Sequence, residues 1–276
     1  MKQQLELAVF ALQRSGHHAV LAFIKNMINK KYNKLLVMNW INQATPQLDP
    51  FNTKTGQTGD PAKYKPAQRG IPRDVLVYNF EDAGLYFMKS MSMFSEVFNG
   101  KSGKRINIII IRDLYNMLAS RMERTRVKGK PFSHPYRIVV GLWLEQAEAV
   151  IKTKYIGTPV MCINYNKWFS RKHYRKMLAA SLDLPYSEET LSKVSHAGEG
   201  SSFTGLHGSG RSLKVLDRWQ SYKADPEFIE AVDHHIVRVC SDKIFGWHLA
   251  KDPKGILKMV PYKKARKVHK LRKIKE

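Results

Sequence analysis

The chain has 276 residues, enough for one large domain or two small ones with a sizeable core, and its 43% hydrophobic and 25% charged content is ordinary for a globular protein. Its charge balance is not: 47 Lys and Arg against 23 Asp and Glu give a formal +24, a field that draws nucleotides, nucleic acid, anionic glycans or acidic membrane surfaces without choosing among them. Two cysteines exclude a disulfide framework, no run of about 18 apolar residues spans a membrane, and Gln3, Gln4 and Glu6 make the N-terminus a poor signal peptide, so a soluble cytoplasmic protein is expected.

The opening segment LELAVFAL (5–12) is short and apolar and predicts a buried strand that runs into Arg14-Ser15-Gly16. Residues 17–33 then show helical spacing, with Val20, Ile24, Met27 and Ile28 on one face. Residues 42–72 are polar and rich in Pro, Gly, Asn and Thr, which predicts a long loop. A second strand is expected at 74–80 (DVLVYNF) and a third at 106–113 (INIIIIRD), whose β-branched run fits burial on both faces of a sheet. A helix follows at 114–126 with Asp113 as its N-cap. Further elements are a helix over 136–154, a fourth strand over 159–165 and helices within 171–182 and 225–240. The alternation predicts an α/β fold over 1–250, a three-layer sandwich with a mainly parallel sheet of the P-loop NTPase-like kind. From Lys251 the composition turns strongly basic, and 251–276 is expected to be a solvated or partly disordered tail.

A turn between strand and helix points backbone N–H groups at whatever sits above it, and Gly16 lets an anion approach closely. Laid on the ATP-type pattern G-x-x-x-x-G-K-[ST], the turn reads Ala11, Gly16, His17, His18. The lysine that reaches a β/γ-phosphate and the hydroxyl that holds Mg²⁺ are both missing, while Arg14 lies two positions before the glycine. A metal-free anion site is therefore preferred over an ATP loop. A bare strand-end turn with an exposed arginine is the plainer alternative, and a zinc site is disfavoured because no Cys or His lies at ligand spacing nearby.

IIIIRDLYNMLAS supplies a second candidate: Arg112 at the end of a buried strand, where ligands of open α/β sheets collect, and Ser120 two helical turns on. The plainer alternative is a surface Arg112–Asp113 pair with Ser120 facing solvent.

These motifs in order carry a resemblance. Arg14-Ser15-Gly16-His17-His18 resembles the 5′-phosphosulfate loop of the sulfotransferase superfamily, commonly Lys/Arg-Ser-Gly-Thr-Thr, and Arg112 with Ser120 is similar to that family's 3′-phosphate site. VMCINYNKWFSRKHYRKMLAASLDLP resembles a later strand and helix of the family, and GSGRSLKVLDRW its nucleotide-covering loop. Histidines replace the usual hydroxyl pair, Leu114 stands where proline is common, and Ala19 stands where an aromatic often lies over the adenine, with Phe203 as a substitute.

The resemblance implies in-line, metal-independent transfer of a sulfuryl group from 3′-phosphoadenylyl sulfate (PAPS) to a hydroxyl or amine. It implies contacts from Arg14, Ser15, Gly16, His17 and His18 to the phosphosulfate, from Arg112 and Ser120 to the 3′-phosphate, and from Arg211 over the nucleotide. The N–H groups of Ser15, Gly16 and His17, with Arg14, would hold the charge that grows on the leaving oxygen. Glu81 is the expected general base, with His17 or His18 next; Glu81-Asp82 as an acidic pair at a helix N-terminus is the competing explanation. The acceptor is expected to be a glycan or another anionic compound. Two other classes stay open: a P-loop nucleotide kinase-like enzyme, and a basic nucleic-acid or polyanion-binding protein that acts through charge alone.

Overall fold

A computed structural model describes residues 3–38, 73–86, 88, 96, 100–129, 135–155, 157–192 and 213–262. The predicted loop at 42–72, Phe203, Arg211 and the chain from 263 onward lie outside the described residues.

Strand β1 (Gln3–Ala11) leads into helix α1 (His17–Asn29), followed by β2 (Leu35–Met38), β3 (Val75–Glu81) and β4 (Ser102–Ile111). Helices α2 (Leu114–Lys128) and α3 (Tyr136–Lys152) come next, then the short antiparallel pair β5 (Lys154–Tyr155) and β6 (Thr158–Pro159), and β7 (Met161–Asn164). Helices α4 (Tyr165–Ser170), α5 (Lys172–Ser181), α6 (Pro226–Val232) and α7 (His235–Phe245) and a hairpin of β8 (Trp247–Lys251) and β9 (Leu257–Pro261) complete the described chain. The main sheet has the order β2-β3-β1-β4-β7, and every pair in it is parallel.

The unbroken apolar runs follow from this topology. In β1, Leu5, Leu7, Val9 and Ala11 enter the core beneath α1, α4 and α5, while Ala8 and Phe10 enter the core beneath α2, α3, α6 and α7. In β4, Ile108 and Ile110 face the first core and Ile109 and Ile111 the second. Both faces of the central strands are covered, so side chains of either parity are apolar. The three-layer α/β expectation holds.

The strands β2, β5, β6, β8 and β9 go beyond the sequence expectation. β2 was not foreseen: it is four residues long, and its partner β3 lies beyond the whole 42–72 segment. The basic composition after Lys251 does not start a tail there, because β9 pairs with β8 and buries Leu257 beside Leu249. Lys251 and Lys258 of that hairpin form ion pairs with Asp233 and Asp252. Among the described residues, no helix is long and apolar enough to cross a membrane.

The carboxyl ends of β1, β3, β4 and β7 converge, so the segments that follow them meet: Arg14 after β1, Asp82 after β3, Arg112 after β4 and Tyr165 after β7. Ligands of open parallel sheets bind at this edge.

Candidate functional site

The turn between β1 and α1 is built around two left-handed residues, Arg14 (φ +67°) and Gly16 (φ +82°). A Cβ on Gly16 would lie 2.2 Å from Cε2 of Tyr165, so glycine is required by space as well as by conformation. The N–H of Ser15 donates to the Leu12 carbonyl at 3.1 Å, which removes it from the set of donors expected to face an anion. The N–H groups of Ala19 and Val20 turn to the Gly16 carbonyl, leaving those of Gly16 and His17 with no acceptor among the described residues.

A buried ion pair clamps this turn from behind. Arg121 of α2 is fully buried and paired with Asp82; Asp82 accepts the Gln13 N–H at 2.9 Å, and Arg121 Nε donates to the Gln13 carbonyl at 3.2 Å. Asp82 itself has φ +54°, and its N–H donates to the Ala11 carbonyl. The competing explanation for Glu81-Asp82 therefore fails: Glu81 is the last residue of β3, and Asp82 turns inward to a partner 39 residues away.

Arg112 and Ser120 are 2% and 0% exposed, which overturns the surface-pair alternative. Arg112 Nη1 donates to the Arg14 carbonyl at 2.9 Å and lies 3.5 Å from Ser120 Oγ; Nη2 donates to the Val215 carbonyl. Its Nε is buried with no acceptor, and its guanidinium lies over the Tyr165 ring, 5.3 Å from the centroid. Ser120 Oγ donates to the Asn116 carbonyl at 2.7 Å and accepts from Arg218 Nη1 at 2.8 Å. Asp113 caps α2 as expected, accepting the Asn116 N–H at 2.8 Å.

Across the turn, His17 Nε2 lies 2.9 Å and His18 Nε2 3.1 Å from the same oxygen, Glu81 Oε1. His17 Nδ1 lies 3.2 Å from Ser15 Oγ, and the two imidazole rings are 4.0 Å apart. Burial would raise the Glu81 carboxyl, but the charge and hydrogen bonds of His17 and His18 outweigh it and hold it well below the usual carboxylate range. Burial, the neighbouring His17 and Arg14 push the His18 imidazole down against the opposing pull of Glu81. Sequence spacing offered no third ligand near the histidines; the fold supplies one, since the three donor atoms lie within 4.8 Å of one another and form a set that could hold a divalent cation. The positive charge of Arg14 acts on the same spot and opposes a second cation, so proton sharing suits the cluster better.

Of the sequence-derived residues, Arg14, Ser15, Gly16, His17 and His18 thus meet Glu81 on one side and Arg112 and Ser120 on the other. Arg211 lies outside the described residues. The sequence reading missed Arg218, Tyr165 and the Asp82–Arg121 clamp. Arg218 stands beside Trp219 in a stretch already singled out, yet nothing local in LDRW marks its guanidinium as buried.

No protein-family model matches the sequence, and no curated protein matches it. Among solved structures, the chain is similar in outline to a sulfotransferase domain from the curacin biosynthetic pathway: 13% identity, 84% of this chain and 97% of that chain covered, and a TM-score of 0.40.

Proposed function

We propose that the chain is a sulfotransferase that takes PAPS as donor and sulfates a hydroxyl or amine without a metal ion. The observation that carries this reading is Arg112, which donates at once to the carbonyl of the Arg14 turn and toward Ser120, so two anion-binding segments share one buried guanidinium. An orphaned Nε on that buried arginine fits a ligand that brings acceptor oxygens. The glycine turn fits a phosphosulfate, since the N–H groups of Gly16 and His17, at the start of α1, have no acceptor among the described residues.

In this reading the acceptor oxygen attacks sulfur as the bond from sulfur to the 5′-phosphate oxygen breaks. Charge on the departing oxygen is met by Arg14 and the N–H groups of Gly16 and His17. Glu81 is a weak base, because its two histidines favour the ionised form. His18, 15% exposed where His17 is 2% exposed, takes the acceptor's proton, and Glu81 orients it. A nucleotide kinase remains the poorer reading, since no lysine-hydroxyl pair follows Gly16.

The test is thermal stabilisation of the full chain by adenosine 3′,5′-bisphosphate, ATP-Mg²⁺ and an oligonucleotide. Stabilisation by the bisphosphate above the other two, abolished in Arg112→Ala, is the expected result. A response to ATP-Mg²⁺ alone points to the kinase class, and a response to the oligonucleotide alone to a polyanion-binding protein; either one ends the sulfotransferase reading.

A further inference from the structure

Strand β9 is held by its pairing with β8 and by the buried side chain of Leu257. The Leu257 N–H donates to the Lys223 carbonyl at 3.0 Å, and the Tyr262 N–H donates to the Gly246 carbonyl at 2.9 Å. After Leu257 every residue as far as Tyr262 is exposed, and three of them are large and apolar: Met259 (46%), Val260 (36%) and Tyr262 (49%). The other large apolar side chains exposed among the described residues, Tyr86, Ile138, Ile151, Met177 and Ile236, stand singly along the chain, as is ordinary for a protein surface. Successive side chains of a strand point to opposite faces, so the exposure of both Met259 and Val260 places this end of the hairpin clear of the body on either face.

The chain passes directly from Tyr262 into 263–276, where six Lys and two Arg stand against one Glu. Val268, Leu271 and Ile274 recur at every third position among those basic residues, the sequence pattern of a basic amphipathic segment. Neutralising the phosphates of a nucleic acid takes cations, and gains nothing from these apolar side chains or from Met259 and Val260. An acidic bilayer rewards both kinds of residue. Its surface attracts Lys and Arg, and the boundary between headgroups and acyl chains accepts apolar side chains and the amphipathic ring of a tyrosine.

We propose that the β8–β9 hairpin and 263–276 together form a docking surface for an anionic lipid membrane. Met259, Val260 and Tyr262 enter the headgroup boundary, and the basic residues that follow lie against the acidic headgroups. Each signal alone is weak: three side chains bury little area, and charge is screened beyond about 8 Å at physiological salt. Adjacent in the chain, they act on one surface and add. The attachment is peripheral and reversible, and it does not depend on the donor reading above.

Sedimentation of the full chain with lipid vesicles decides it. The wild type is expected to pellet with phosphatidylcholine vesicles containing about 30% phosphatidylserine, to stay in solution with phosphatidylcholine alone, and to bind less as salt rises. Each basic residue near an acidic leaflet is worth about fivefold, so Lys263→Gln, Lys264→Gln, Arg266→Gln and Lys267→Gln together should weaken vesicle binding on the order of 100-fold or more. Met259→Ser, Val260→Ser and Tyr262→Ser together should weaken it about 10-fold or more at an unchanged melting temperature, and should leave affinity for a duplex oligonucleotide as it was. A wild type that ignores acidic vesicles, or pellets equally with neutral ones, overturns the proposal. So does a serine variant that binds acidic vesicles as the wild type does, or that loses vesicle and oligonucleotide binding in parallel. The glutamine variant leaves the hairpin intact, and full vesicle binding by it overturns the proposal as well.

Discussion

The Arg112 guanidinium, at the end of β4, donates at 2.9 Å to the carbonyl of Arg14, a residue in the left-handed region 98 positions earlier. That bond ties the turn after β1 to the segment after β4.

Gly16→Ala should disrupt the turn most directly. Its Cβ would overlap the Tyr165 ring at 2.2 Å in a backbone region that costs L-residues about 1–2 kcal/mol. Overpacking adds about 1–3 kcal/mol. Denaturant unfolding should show the loss, and Tyr165→Leu in the same chain should recover part of it. Full additivity of the two substitutions would mean that the ring is not the obstacle.

The Asp82–Arg121 pair predicts a second asymmetry. Removing one partner leaves a buried charge, so Asp82→Asn should cost about 3–5 kcal/mol, and Asp82→Leu with Arg121→Met together should cost less than the sum of the single changes. Equal and additive losses would show that the pair is not coupled. Nucleotide affinity of the double variant should fall too, because Gln13 loses both of its contacts behind the turn.

The pH dependence follows from His18 and Glu81, both depressed. Below the ordinary histidine value of 6.5, the unfolded chain takes a proton that folded His18 refuses; below the ordinary carboxyl value of 4.5, the unfolded chain protonates a carboxylate that the fold keeps ionised. Both contributions are present at neutral pH and are lost as pH falls, so the melting temperature should be flat above about 6.5 and drop progressively below it. Glu81→Gln should flatten the acidic part of that curve. Transfer activity should also fall on acidification, but at a lower pH than the melting temperature, because the rate follows the depressed folded His18; His18→Ala should lower the rate about 10²- to 10⁴-fold. A rate that rises on acidification would contradict a neutral base.

Zinc offers a separate check on the His17, His18, Glu81 cluster. The bisphosphate-induced rise in melting temperature should persist in chelator, and zinc alone should give none, because Arg14 already supplies positive charge there. A zinc-dependent rise lost in His18→Ala would make the cluster a metal site.

At the far end of the described chain, Leu257 is 1% exposed while the other four residues of β9 are exposed. Leu257→Ala should cost about 2–5 kcal/mol, whereas Met259→Ala, at a residue 46% exposed on the same strand, should cost little. Similar small losses at both would place the hairpin outside the cooperative unit.

Much of the fold was legible because the central strands are buried on both faces: IIII in β4 and LAVFAL in β1 cannot be amphipathic, and Asp113 announces its helix by its cap. β2 and β9 were not legible. A four-residue edge strand has too little pattern of its own, and the basic residues around Leu257 mask its single core contact. The turn at Arg14–Gly16 and the Arg112–Ser120 spacing could be read from the chain, since each is local.

What the sequence alone determined is the layering, the position of the turn, and the residue types gathered at the sheet's carboxyl edge, all of which depend on periods of two and 3.6 residues and on short spacings. What only the tertiary structure decided is who meets whom: Glu81 with both histidines, Asp82 with Arg121, and Arg218 with Arg112 on one hydroxyl. Those pairings span from 39 residues (Asp82–Arg121) to 106 (Arg112–Arg218) and bring distant turns to the edge where the parallel strands end.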